Sequence, residues 1–362
     1  MTPLRVVQWA TGPVGLAQLR EIIDRPELEL AGVLVYSDKK AGLDAGHLVE
    51  RPVTGVLTTT DKATVFALDA DLVLHAASKA GAVDTNVDDL VGLLSSGKNV
   101  ITTTSYAHLP TYGEDVAARI NEACRRGGSR FFAAGEHPGF VFERLATSIT
   151  ALSQRVDCIT VQEFVDCSGI SERGMLVDLM GMGKRPEDIT VNSPMFQAVS
   201  RQYEQALGGA AEVLNCRIDS IEPTIETATS EHDVLLRCAT IKAGTVVGQK
   251  LSWTAYQGGS PALIAEEYWS VTSDIPQWEL QLGGQFLIRV IVTGVPGMKL
   301  ELEIGNGVVT GLPNVSEGQL AVAMTAVRAI PDLMAAPPGA VVIPRIFGAY
   351  RWREQALKVS RS

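Results

Sequence analysis

The run Val6-Val7-Gln8-Trp9 leads into the turn Ala10-Thr11-Gly12-Pro13-Val14-Gly15, and the turn opens into the amphipathic stretch 16–24. Read by hydrophobic period, that order is strand, glycine turn, helix. Pro26 ends the helix and residues 28–36 read as a second apolar strand, which completes one βαβ unit. Gly12 has access to backbone conformations closed to other residues, and Gly15 would let the helix approach the strand closely. The N–H groups opening the helix would then face a pyrophosphate. The dinucleotide fingerprint carries three glycines, whereas this chain has Ala10, Gly12 and Gly15, so the pattern by itself also fits an ordinary tight turn.

Beyond this unit the alternation continues. Residues 71–76, 99–103 and 130–134 read as strands, 86–96 and 113–126 as helices. That predicts a Rossmann-type doubly wound parallel sheet. After a helix over 141–152 the runs lengthen and become rich in Val, Ile and Thr: 157–167, 213–229, 234–243, 246–256, 262–271, 285–294 and 299–304. They predict a following α+β domain with a mostly antiparallel sheet. A helical insertion, 174–182 and 194–207, interrupts them, and a helix over 315–330 precedes the turn Pro337-Pro338-Gly339 and a basic tail. The expected division is a dinucleotide-binding domain over 1–140, rejoined by the helix and tail over 312–362, with a second domain over 141–311.

Composition narrows the classes. The 362 residues, 46% of them hydrophobic, suffice for two cores. A formal charge of −10 without a basic cluster speaks against nucleic acid. The five cysteines form no Cys-x-x-Cys pair, which argues against a disulfide framework and a structural zinc site, and no metal is expected. No apolar run is long enough to span a bilayer, and the start shows no signal-peptide anatomy, so a soluble, cytoplasmic protein with no membrane partner is expected.

Four separated segments share a further pattern: Ala10–Gly15 itself, Leu43-Asp44-Ala45-Gly46-His47-Leu48, Gly97-Lys98-Asn99-Val100-Ile101-Thr102-Thr103-Thr104, and Gly135-Glu136-His137-Pro138-Gly139-Phe140. A fifth, Ala326-Val327-Arg328-Ala329-Ile330-Pro331, is weaker. With these segments in order, the chain resembles the dihydrodipicolinate reductase-like superfamily, and within it the 2,4-diaminopentanoate dehydrogenase and native amine dehydrogenase branch. The resemblance implies that Thr11, Gly12, Pro13, Val14 and Gly15 hold a pyrophosphate. It also implies that Ala77 and Ser78, in Ala76-Ala77-Ser78-Lys79, and Thr102, Thr103 and Thr104 meet the nicotinamide and its ribose. Aligned on the family, the acidic position that selects NAD falls on Val35, leaving Tyr36, Ser37, Lys39 and Lys40 to surround a 2′-phosphate. NADP is therefore the expected cofactor, with NAD kept open by Asp38.

Two catalytic devices of the superfamily are missing. The histidine-rich motif with a lysine has no counterpart in Gln162-Glu163-Phe164-Val165-Asp166-Cys167-Ser168-Gly169, and the glutamate of the amine-forming members has none in Ser105-Tyr106-Ala107-His108-Leu109-Pro110. Tyr106, His108 and His137 are the candidate proton carriers, since imidazole titrates near neutrality and a phenol can donate to a carbonyl oxygen. Glu136, Glu163 and Asp166 are further candidates. Trp253, Tyr256, Tyr268, Trp269 and Trp278, with Met175, Leu176, Leu179, Met180 and Met182, suit either a hydrophobic ligand or a plain core. The expectation is an NADP-preferring oxidoreductase acting on a C=O or C=N bond of a small hydrophobic substrate, dimeric through its second domain. Its alternatives are an amine dehydrogenase with a relocated proton-transfer group and a non-catalytic NAD(P) sensor.

Overall fold

The computed structural model describes all residues except 1, 79–85, 279–285, 306–310, 313–314, 344–345, 347 and 353–362; Lys79 and most of the basic tail lie outside the described residues. The chain forms two compact units, Met1–Phe140 with Gly307–Pro344, and Val141–Asn306 with Arg345–Ser362.

In the first unit β1 (Leu4–Trp9), β2 (Leu28–Leu34), β3 (Thr58–Thr59), β4 (Leu72–His75), β5 (Asn99–Thr102), β6 (Arg130–Ala133) and the short strand Ala340–Val341 form one sheet. All pairings are parallel, in the order Ala340–Val341, β6, β5, β4, β1, β2, β3. A parallel sheet must be covered on both faces, and the near-continuous apolar strands reflect that. Val7, Val73, Val100 and Phe131 face Leu90 and Leu93 of α2 (Asn86–Ser95) and Ile120 of α3 (Glu114–Gly127). Val6, Leu72, Leu74 and Ile101 face Ile22 of α1 (Pro13–Asp24) and Ala326 and Ile330 of the Glu317–Ala335 helix. Ser316 starts that helix with a capping box to Gln319. The helix runs on through Pro331, where the sequence predicts its end, and Leu333 beyond the proline stays buried.

The second unit opens on a continuous helical segment, π-wound over Val141–Ala146, α-helical over Thr147–Ile149 and 3-10 over Thr150–Leu152. Its main sheet contains β7 (Arg155–Asp166), β8 (Ser220–Thr229), β11 (Val246–Gln257), β12 (Ser260–Ser270), β13 (Phe286–Val295) and β14 (Met298–Ile304). Between β8 and β11, β9 (Val234–Leu235) and β10 (Thr240–Ile241) form a separate hairpin. The main sheet runs β14, β13, β7, β12, β11, β8, and only β7 and β12 pair in parallel. The fold class read from the sequence is borne out.

Three local readings need correction. The single strand expected over 234–243 is that hairpin, because Leu236 N–H turns back to the Ala239 carbonyl. The strand expected from 213 starts at Ser220, since the Pro194–Val213 helix extends a further six residues beyond Leu207 on buried Ala210 and Ala211. The last described stretch does not rejoin the first unit: Tyr350 N–H donates to Thr150 Oγ1 (3.0 Å) and Trp352 N–H to the Leu214 carbonyl (3.0 Å), both in the second unit.

Candidate functional site: the carboxyl edge of the parallel sheet

Trp9, His75, Thr102 and Ala133 are register partners across β1, β4, β5 and β6, forming one row at the carboxyl edge of the sheet. The order β3-β2-β1-β4-β5-β6 reverses between β1 and β4, the switch point where ligands of open α/β sheets bind. The turn after β1 leaves the sheet at that point.

The turn differs in detail from the sequence reading. Gly12 has φ −69° and ψ −178°, open to any residue, and the left-handed residue is Ala10, at φ 74°. Gly12 matters for space: among the described residues, its chain neighbours aside, no atom lies within 4 Å of where its Cβ would stand. Gly15 matters for contact, since a Cβ there would lie 2.2 Å from the Ala10 carbonyl oxygen. Helix α1 begins at Pro13 rather than 16, because proline's fixed φ and missing N–H suit the first helical position. Leu16 N–H bonds the Gly12 carbonyl at 2.8 Å, so Val14 and Gly15 supply the preceding first-turn N–H groups, and no side chain caps them among the described residues. A helix start of this kind favours an anion. Beneath it, Gln8 Nε2 donates to the Ala10 carbonyl (2.9 Å) and to Gln18 Oε1 (3.2 Å). Lys40 Nζ donates to the Thr11 carbonyl at 2.7 Å.

Past β2, Val35 is buried while Tyr36, Ser37, Asp38 and Lys39 are exposed. The Tyr36 hydroxyl accepts from Trp9 Nε1 at 3.0 Å, and its partial burial raises the phenol pKa. Lys62 is a cation at this edge that the sequence reading missed. Its Nζ lies 5.7 Å from the ring centroids of both Trp9 and Tyr36 and pairs with Asp89 at 2.6 Å. Nothing in its local sequence marked it, because Lys62 and Asp89 come together only through tertiary packing.

Past β4, Ala77 is buried and Ser78 exposed. The threonines are largely occupied with one another. The Thr102 hydroxyl meets His75 Nδ1 (3.0 Å) and the Thr104 hydroxyl (2.8 Å), all three residues being buried, and Thr103 is half-buried at the edge. Ser105 and Tyr106 then take φ values of 78° and 70°, a strained pair for residues with a Cβ. Tyr106 is a core residue, 1% exposed and stacked on Tyr112 at 4.5 Å. His108 precedes the 3-10 turn Leu109–Tyr112, half-buried, with Nδ1 2.8 Å from Thr111 Oγ1. His137 lies in the loop after β6, before a cis proline, with Gly139 at φ 125° and the would-be Gly135 Cβ 2.4 Å from the Pro138 carbonyl.

Other candidates have structural roles. Asp44 clamps a loop through the N–H groups of Gly46 (2.8 Å), Thr54 (3.0 Å) and Gly55 (2.8 Å), and the Thr54 N–H foremost holds its carboxyl below the usual carboxylate range. In the second unit, Glu163 is buried and accepts from the Tyr203 hydroxyl at 3.3 Å, and Asp166 accepts from Ser168 N–H. Trp253 stacks on Tyr203 at 4.2 Å and donates to Ser200 Oγ, and Tyr268, Trp269 and Trp278 are also buried, so these aromatics form core. Burial pushes the Cys124 thiol up to about 11 and Cys167 to about 12, which makes them inert packing groups. No group of three or more His, Cys, Asp and Glu residues suited to a metal occurs among the described residues.

No family model matches the chain. Among curated proteins, an amine dehydrogenase from Streptomyces virginiae is 27% identical over 310 residues, 83% of this chain and 85% of that one. The chain is similar to an amine dehydrogenase. The solved structure of an amine dehydrogenase from Mycobacterium smegmatis has the same fold, with a TM-score of 0.70 at 17% identity over 97% of both chains. An oxidoreductase from Agrobacterium radiobacter, solved with NAD+, L-tartaric acid and magnesium, reaches a TM-score of 0.51 at 15% identity, covering 93% of this chain and 92% of that one. The likeness to amine dehydrogenases drawn from the sequence segments is borne out by the Streptomyces virginiae relative.

Proposed function

We propose that the chain is an NAD(P)-dependent oxidoreductase, preferring NADP, that reduces a C=O or C=N bond of a small hydrophobic substrate. The turn at the switch point carries this reading: Gly12 leaves room, Gly15 brings the helix start close, and Val14 and Gly15 present N–H groups there. The likeness to an amine dehydrogenase over 83% of the chain supports it. Thr11, Pro13, Ala77, Ser78 and Thr103 complete the dinucleotide contacts, while Thr102 and Thr104 set the strand end in place. The preference for NADP rests on buried Val35 where an acid would stand, and on exposed Tyr36, Ser37 and Lys39 with Lys62 behind them.

When bound, the nicotinamide supplies the hydride, and a protein group supplies the proton to the substrate oxygen or nitrogen. His108 is our assignment for that proton. It occupies the loop where amine-forming members of the superfamily place a glutamate, and its contact with Thr111 fixes the ring. His137, in the neighbouring loop, is the second candidate; Tyr106 supports the loop from the core. The protein acts in the cytoplasm as a homodimer built through the second unit.

NADPH and NADH consumption on a panel of apolar ketones, with and without ammonium, tests the reading. NADPH-linked, ammonium-independent turnover is expected. Turnover only with ammonium would establish the amine dehydrogenase alternative, a strong NADH preference would sink the NADP assignment, and tight binding without turnover would leave a sensor.

A further inference from the structure

We propose that Gln8 is a positioning residue for the dinucleotide turn: it holds Ala10 in a left-handed conformation that glycine adopts unaided, and so aims the next peptide at the pyrophosphate. The inference rests on the dinucleotide site proposed above and explains how that site works without the first fingerprint glycine.

Ala10 stands where the fingerprint has its first glycine, and its φ of 74° is the conformation for which glycine is used. An alanine there is strained by the close approach of its Cβ to the backbone. What offsets the strain is found one residue inside the sheet. Gln8 and Gln18 are both fully buried, and the register neighbours of Gln8 are Val33 and Leu74, so an amide pair sits in an apolar layer. A methionine of nearly the same volume would fill that place without desolvating polar groups.

The amide does what methionine cannot. Gln8 Nε2 donates to the Ala10 carbonyl at 2.9 Å, and Gln18 Oε1 receives the same nitrogen's other hydrogen at 3.2 Å. Gly15 belongs to the same assembly, because a Cβ there would meet the Ala10 carbonyl oxygen at 2.2 Å and Gln8 Nε2 at 3.1 Å. In a trans peptide the C=O and the following N–H point in opposite directions. Drawing the Ala10 carbonyl inward therefore turns the Thr11 N–H away from the core, toward the open side of the turn. Lys40 fixes the far side of Thr11 through its carbonyl.

The test is a double-mutant cycle of Gln8→Met and Ala10→Gly in the full chain, read by fluorescence titration with NADPH and NADH and by Tm without cofactor. Gln8→Met is expected to weaken binding about tenfold, and Ala10→Gly to leave it within about threefold. In the Ala10→Gly background the Gln8→Met loss should shrink to about threefold or less, with a matching shrinkage in its Tm loss. An equal loss in both backgrounds, or none in either, overturns the proposal. Gln18→Met, which removes the acceptor of the second hydrogen bond from Gln8 Nε2, carries the same cycle if Gln8→Met does not fold. Should the unaltered chain bind neither dinucleotide, the dinucleotide reading fails, and the Tm cycle still decides the coupling of Gln8 to Ala10.

Discussion

The turn after β1 and the loop after β5 leave the same edge of the sheet, and each carries left-handed residues that are not glycine. At the first, Ala10 is braced from below by Gln8, so what faces outward is backbone. At the second, Ser105 and Tyr106 take the strain, and the neighbouring side chains bond to one another in the run from His75 through Thr102 to Thr104. The turn thus presents N–H groups and demands glycine for room; the loop fixes side chains and holds the proposed proton carrier, His108. Binding and turnover should therefore fail separately.

The sharpest break is expected at Gly15→Ala, whose Cβ would meet backbone that cannot yield. Dinucleotide binding should fall below detection, with a stability loss of about 2–3 kcal/mol in chemical denaturation. Normal titration of that variant would remove the turn from the site. Next comes His108→Ala, for which kcat should fall about 100-fold or more at an unchanged dinucleotide Kd, while Tyr106→Phe keeps turnover. Should the loss appear with His137→Ala instead, the proton carrier moves to the neighbouring loop. Gly12→Ala separates space from contact: Tm should stay constant, because the added Cβ meets no atom, while binding weakens about tenfold.

The smallest effect is expected away from both regions, at Asp44→Asn. Folding lowers the Asp44 pKa, so its stabilisation is fully present above the unfolded carboxylate value of about 4 and is lost as pH falls through the depressed value. The variant should melt a few degrees lower near neutrality, and the gap should close in acid while Kd stays constant. A gap that persists at pH 2–3 would mean that the Asp44 charge does not carry the clamp.

The same contrast explains what could be read from residues alone. Apolar periodicity located β1, α1 and β2, and strand alternation the two kinds of sheet, because both report burial along one local segment. The glycines of the turn were visible, yet their roles were not: the residue with positive φ is Ala10, and the amide bonded to its carbonyl comes from Gln8, two positions upstream. His75, Lys62 and Gln18 escaped notice because their partners lie 27, 27 and 10 residues away. The aromatics of the second unit could be either wall or core, and the burial of Trp253, Tyr268, Trp269 and Trp278, with Tyr203 stacked on Trp253, decided it.

The division of the chain bears on how the protein is made. Residues up to Phe140 emerge first, but the helix that covers Ile22 and Leu74, and the last strand beside β6, come from Gly307–Pro344. In the second unit β7 waits for β12 and β13, about 100 and about 130 residues later. The first unit is therefore completed only after β7 to β14 have been made, with part of one face of its sheet uncovered throughout their synthesis. A fragment cut at residue 140 would expose that apolar face and is expected to aggregate, whereas moving the chain ends so that Gly307–Pro344 precedes β1 would give this unit a continuous sequence of its own.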